Sequence, residues 1–185
     1  MTYGINFSAL AINSATGFIL GDINYTYRLG FQLLYVPFVT PLIWSSAIYL
    51  GIVISRRISR AVAMSPLTAA FATTGLLTAL DGLFVKAGFY SWLTWIDKPA
   101  LLGLSPIKAQ LITFVIVLVI MLLSGQNSKN DRYSTRMPIL AYSWIFVFTI
   151  FCARFLADSF NSFLVAILVM AYIIAAFVYK TIRGN

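Results

Sequence analysis

Histidine and glutamate are absent from this chain, and cysteine occurs once. Without histidine, His-based metal sites, haem ligation through an imidazole, and Ser-His-Asp or Cys-His catalysis are all excluded. The lone Cys152 cannot close an internal disulfide. It lies inside an apolar run and reads as a small buried or lipid-facing side chain, not as a nucleophile. The acids reduce to five aspartates, Asp22, Asp81, Asp97, Asp131 and Asp158. No cofactor and no metal is expected from such an inventory. Internal repeats, low-complexity tracts and Gly-rich phosphate loops are missing as well.

Charge is scarce. Only 10% of the 185 residues are charged while 61% are hydrophobic, and mean hydropathy is +0.90. These values exclude a soluble domain and point to an all-α polytopic transmembrane helical bundle, one integral membrane domain over residues 1–185. The length accommodates about six spans of roughly 20 residues with short loops. The net charge of +8 does not imply nucleic acid. The basic residues fall between apolar runs, and no aromatic-basic interleaving offers base stacking.

The first apolar segment, about Ile5 to Leu20, is short and flecked with Asn6, Ser8, Asn13, Ser14 and Thr16. It lacks the basic start and small-residue cleavage site of a signal peptide, so a retained helix packed against others is expected. The stretch from Gly21 to Gly30 follows as a loop at the water boundary. A second span, about Leu33 to Ser55, carries Pro37 and Pro41 and predicts a kink or a late helix start. The third, about Pro66 to Val85, is rich in Ala, Thr and Gly, which let helices approach closely. Spans four to six are expected at about Pro106–Leu123, Pro138–Phe155 and Phe160–Tyr179. The polar stretch Gly125–Arg136 forms the longest loop, and Arg154 and Asp158, four apart, are placed to fasten the last hairpin.

Loop charges set the orientation. Arg56, Arg57 and Arg60, then Lys129, Arg132 and Arg136, then Lys180 and Arg183 mark alternate boundaries. Asp22, Asp81, Asp97 and Asp158 mark the others. Six spans with both termini cytoplasmic satisfy this alternation.

Asp81 stands out because it sits near the end of the third apolar run. A carboxylate at mid-bilayer costs roughly 2.5–3.5 kcal/mol on insertion scales, and less near the interface. Such groups usually face a bundle interior or a wet cavity. Lys86, five residues on, offers a structural ion pair, which is one reading. The other is a functional acid beside the aromatic cluster Phe89, Tyr90, Trp92 and Trp95, whose rings also suit interface anchoring.

Two stretches carry a resemblance. The first is Thr16-Gly-Phe-Ile-Leu-Gly-Asp-Ile-Asn-Tyr-Thr-Tyr-Arg-Leu-Gly30, continuing through Val36-Pro-Phe-Val-Thr-Pro-Leu-Ile-Trp44. The second is Leu80-Asp-Gly-Leu-Phe-Val-Lys-Ala-Gly-Phe-Tyr-Ser-Trp92. Together they resemble the carotenoid biosynthesis membrane family that contains the acyclic carotenoid hydratases, over roughly residues 10 to 120. The chain departs from that pattern at Leu10, where the family has an acid, and at Gly82, where it has proline. It departs again at Tyr90, where the family has tryptophan, and at Ser105-Pro-Ile-Lys108, which replaces a motif bearing an amide.

The resemblance implies addition of water to a terminal isoprenoid double bond. That chemistry needs a strong acid, tolerance of a tertiary cation and a held water. A carboxylic acid that an apolar setting keeps protonated is the natural donor where histidine and metal are lacking. Asp81 is the first candidate acid and Asp22 the second, as water holder or proton relay, although Asp22 in Gly-Asp-Ile-Asn also reads as a turn residue. Tyr25, Trp44, Tyr90 and Trp92 are the expected substrate-binding residues, their ring faces worth about 2 kcal/mol or more to a desolvated cation. A long polyene would lie in an intramembrane groove of Leu, Phe and Ile. The expected partners are membrane lipid and a carotenoid. The alternative is a non-catalytic accessory subunit of a larger membrane complex, holding lipid or carotenoid and packed against other membrane subunits, a reading that the depleted acid inventory motivates.

Overall fold

The computed structural model describes residues 2–58, 65–92, 107–123, 136–155 and 160–183. Trp95, Asp97, Lys98, Asp131 and Asp158, with the expected Arg154–Asp158 pair, lie outside the described residues or side chains. The chain is mostly helical, with six α-helices among the described residues: α1 Thr2–Thr16, α2 Val39–Ile58, α3 Ser65–Lys86, α4 Ile107–Leu123, α5 Arg136–Phe155 and α6 Phe160–Arg183. Three helical stretches are long and apolar enough to cross a membrane: Val39–Ile58, Ser65–Lys86 and Ala166–Arg183. Ala109–Leu122 and Met137–Cys152 are shorter apolar helices.

α1 differs from the expected span. Its 15 residues reach only about 22 Å at 1.5 Å per residue, short of a roughly 30 Å hydrocarbon core. It stops at Thr16 because Gly17 turns to a φ of 62° and donates its N–H to Asn13 O at 2.7 Å, a left-handed helix end. The Asn13 side chain then takes over from the helix. Its Oδ1 accepts from Leu20 N at 2.6 Å and its Nδ2 donates to Gly21 O at 3.0 Å. Asn6, also buried, donates to Ser45 Oγ on α2 at 3.0 Å. Of the polar flecks, Asn6 thus ties α1 to α2, and Asn13 ties the end of α1 to the segment that follows.

The start of α2 is late. Pro37 sits in a short hairpin of β2 (Gln32–Leu33) and β3 (Val36–Pro37), which follows β1 (Ile23–Tyr25) in the chain. Pro41 falls in the first turn of α2, where a missing N–H costs nothing. The hairpin turns on Leu34 and Tyr35 at φ of 52° and 62°, a geometry normally left to Gly, Asn or Asp.

α3 is the central helix and contacts α2, α4, α5 and α6. It does so through small buried residues: Ala69, Ala70, Ala72, Gly75 and Ala79. A Cβ on Gly75 would lie 2.7 Å from Val169 Cγ1 on α6, and one on Gly51 of α2 would meet the Thr73 hydroxyl and Ala69 O. Where lipid is as apolar as leucine, such close backbone approach is what favours helix against helix. One cluster joins α2, α3, α5 and α6 around Ile54, Leu76, Tyr142 and Met170. A second joins α2, α3 and α4 around Ile48, Ala70 and Val117. A third, of Leu10, Leu20, Val36 and Ala109, ties α1 and the hairpin to α4.

Candidate functional site

α3 ends in a Schellman motif, and that ending builds the site. Gly88, at φ 70°, donates to Val85 O at 3.0 Å, while Phe89 N donates to Phe84 O at 2.9 Å. The Phe84 and Phe89 rings meet edge to face at 5.4 Å and seal the turn. The reversed chain becomes β4, Tyr90–Trp92. It pairs antiparallel with β1, Ile23 opposite Trp92, Asn24 opposite Ser91 and Tyr25 opposite Tyr90. Thr26 Oγ1 donates to the Gly88 and Phe89 carbonyls, and Arg28 Nη1 donates to Ala87 O at 3.1 Å, fastening the ribbon to the helix end.

Alternation along a strand puts Tyr90 and Trp92 on one face, beside their cross-strand partners Tyr25 and Ile23. That face turns toward Asp81. The Tyr90 hydroxyl donates to Asp81 Oδ1. Around it the Tyr90 ring meets Tyr25 at 5.6 Å, Trp92 at 6.2 Å and Phe84 at 6.3 Å, all near edge to face. Burial, and second the charge of Asp81, push the Tyr25 phenol above its ordinary range.

Beneath the ribbon lies a cavity of about 60 Å³, room for a few waters or for the end of a slender ligand. Asp81, Tyr25, Trp44, Tyr90 and Trp92 all line it. Five of the six residues expected from the sequence therefore converge on one hollow. Its apolar wall comes from Leu10, Leu20 and Ile23, from Ile43 on α2, and from Leu77, Leu80 and Phe84 on α3. Its remaining polar lining is Thr40, Thr78, Gln110 and Thr113. Thr40 Oγ1 and Trp92 Nε1 are buried with no hydrogen-bond partner among the described residues.

Asp22 is elsewhere. It is exposed and is not among the residues lining the cavity. Its carboxylate fills the space that a Cβ on Gly17 would take, so it covers the left-handed end of α1. Lys86 is exposed in the last turn of α3.

Thr40, Phe84, Gln110 and Thr113 were not singled out by sequence. Thr40 had one available signal, since it stands four residues before Trp44 and shares its helix face. Among the described residues no group of three or more Asp or Cys side chains is gathered that could hold a metal. What the arrangement offers chemically is one carboxyl group, a phenol hydrogen-bonded to it, ring faces, and Thr40 Oγ1 and Trp92 Nε1 unpaired among the described residues, in a mainly apolar shell. Comparison with protein-family models, curated proteins and solved structures finds no match for this chain.

Proposed function

We propose that the chain is a multi-pass integral protein of the cell membrane that hydrates the terminal double bond of an acyclic isoprenoid, in the manner of the carotenoid biosynthesis family it resembles. Asp81 is the proton donor. Tyr90 orients the Asp81 carboxyl group through its hydroxyl, and the faces of Tyr25, Trp44 and Trp92 flank the carbon that becomes cationic. The end group of the polyene enters the cavity, and the rest of the chain lies along the apolar surface of the bundle. In this reading all six helices lie within the bilayer region and the C-terminus is cytoplasmic. Arg56 and Arg57 close α2, and Lys180 and Arg183 close α6, at the cytoplasmic boundary.

One observation carries the proposal. The two sequence stretches behind the resemblance, separate in the chain, meet as β1 and β4 and surround a membrane-helix carboxyl group with rings. A purely structural acid needs a partner but no hollow beside it. Expression in a lycopene-producing host tests the reading. The expected result is a new hydroxylated pigment that is lost in Asp81→Asn, and the absence of any such pigment rejects it.

A second reading has its own support. α5 and α6 expose Trp144, Val147, Phe151, Leu168 and Tyr172, apolar side chains of the kind that cover a partner helix or lipid. An accessory subunit would use them against another membrane protein. Purification from native membranes separates the two, because a stoichiometric partner retained on α5 and α6 favours the accessory role and a solitary chain the enzyme.

A further inference from the structure

Two polar atoms of residues lining the cavity have no hydrogen-bond partner among the described residues. Thr40 is 6% exposed, and its Oγ1, like Trp92 Nε1, is buried without a hydrogen-bond partner among the described residues. Burying a hydroxyl or indole N–H in this way is costly, and a bound water is one of the few arrangements that offsets the cost. Their elements fix both. Thr40 stands in the first turn of α2, one turn before Trp44. The Cε3–Cζ3 edge of the Trp92 indole packs toward Gly21, with Cζ3 3.7 Å from where a Cβ would be. The edge bearing Nε1 therefore turns away from that wall. Both residues line the same hollow as Asp81.

We propose that Thr40 Oγ1 and Trp92 Nε1 form the binding site for the water that is added to the substrate, which extends the hydratase reading given above and rests on it. The chemistry of a water molecule fits these atoms. Its oxygen accepts from Trp92 Nε1–H through one lone pair, and one of its hydrogens is donated to Thr40 Oγ1. The second lone pair is left for carbon. In the reaction the Asp81 carboxyl proton is transferred to the terminal-bond carbon, the π electrons form the new C–H bond, and the neighbouring carbon becomes a tertiary cation. The free lone pair of the held water forms the C–O bond. The surplus water proton returns to the Asp81 carboxylate. One water is added, and no oxidant or reductant takes part. The rest of the wall is Leu, Ile and ring carbon interrupted by Thr78, Gln110 and Thr113, and a water held at this pair reaches the cation from one face.

The test separates protonation from capture. Membranes containing the full chain and lycopene are incubated in D₂O, and mass spectrometry reads both hydrated product and deuterium in recovered lycopene. Wild type is expected to give hydrate. Thr40→Val and Trp92→Phe keep volume and ring, and are expected to lower hydrate at least about tenfold. Deuterium should still enter recovered lycopene in Thr40→Val, since a cation that is not captured loses a proton. Trp92→Phe also changes a ring face beside the cation and should lower both signals, hydrate more than deuterium. Thr40→Ser, which retains the hydroxyl, should restore hydration, and Asp81→Asn should abolish hydrate and exchange together. Equal loss of both signals in Thr40→Val, or hydration at the wild-type level in either variant, overturns the water site while leaving the acid in place. A wild type that neither hydrates nor exchanges overturns the hydratase reading itself, and the water site with it.

Discussion

α3 and α6 are both long and apolar enough to cross a membrane, yet they are used in opposite ways. Half of the apolar window of α3 is buried in the protein (50%), against 22% for α6. α3 turns Ala, Gly and Thr side chains toward four neighbouring helices and ends in the carboxyl-bearing hollow. α6 presents Leu168, Tyr172, Val178 and Ile182 outward and has no acid in its described part. The difference teaches that apolar character does not tell an inner helix from an outer one. Small residues and the rare polar side chain do, because they mark where backbones touch and where water or substrate is admitted.

The sharpest way to break this comparison is to disarm the inner helix. Asp81→Asn should reduce hydrated product by two orders of magnitude or more, in the range of a lost general acid, as read by pigment chromatography. Next in size is packing. Gly75→Val would drive a side chain into Val169 and Met170 and should cost on the order of 1–3 kcal/mol of stability. Thermal unfolding in detergent measures it, and a stability equal to wild type would mean that α3 and α6 do not pack this closely. Tyr90→Phe removes the hydroxyl that donates to Asp81 and should lower turnover about tenfold and stability by roughly 0.5–1.5 kcal/mol, the worth of one hydrogen bond between neutral groups.

A smaller effect appears only at high pH. The folded Tyr25 phenol ionises above its ordinary range, so the fold favours its neutral form. That stabilisation is complete below about pH 10, where an unfolded tyrosine begins to ionise. It is lost as the pH rises through that value toward the higher folded one. Thermal unfolding at pH 9 and 11 should show wild type losing stability, and Tyr25→Phe losing less of it. Smallest of all, Asp22→Asn should leave product within about twofold, since Asp22 lies outside the cavity. A drop as deep as that of Asp81→Asn would return Asp22 to the chemistry.

Much of the helical frame was legible. The apolar run from Pro66 to Val85 differs from α3 by one residue at each end, because Pro66 and the Gly88 turn bound it chemically. The end of α1 was misjudged by four residues, since nothing in the hydropathy of Phe18-Ile-Leu20 reveals that Asn13 captures the Leu20 N–H. Strands β1 and β4 were missed. Three residues each, they depend on pairing across more than 60 positions, and Ile23–Tyr25 lies among turn-formers. The hairpin hid behind Leu34 and Tyr35, which are not turn residues by habit. At the site, scarcity made Asp81 visible and ring content made Tyr25, Trp44, Tyr90 and Trp92 visible. Thr40, Gln110 and Thr113 stayed hidden because a helix apolar on most sides gives no clue to which polar position faces inward. Asp22, an acid close to the same motif in the chain, lies outside the cavity beside the Gly17 turn, a placement that its sequence neighbours do not reveal.

The most direct measurement is a density map of the protein purified from lycopene-rich membranes. The account predicts elongated density whose end enters the hollow between Asp81, Trp44 and Trp92, with the Tyr90 hydroxyl still on the carboxyl group. Asp81 turned out to lipid or water, or the hollow filled by a neighbouring helix, would contradict it.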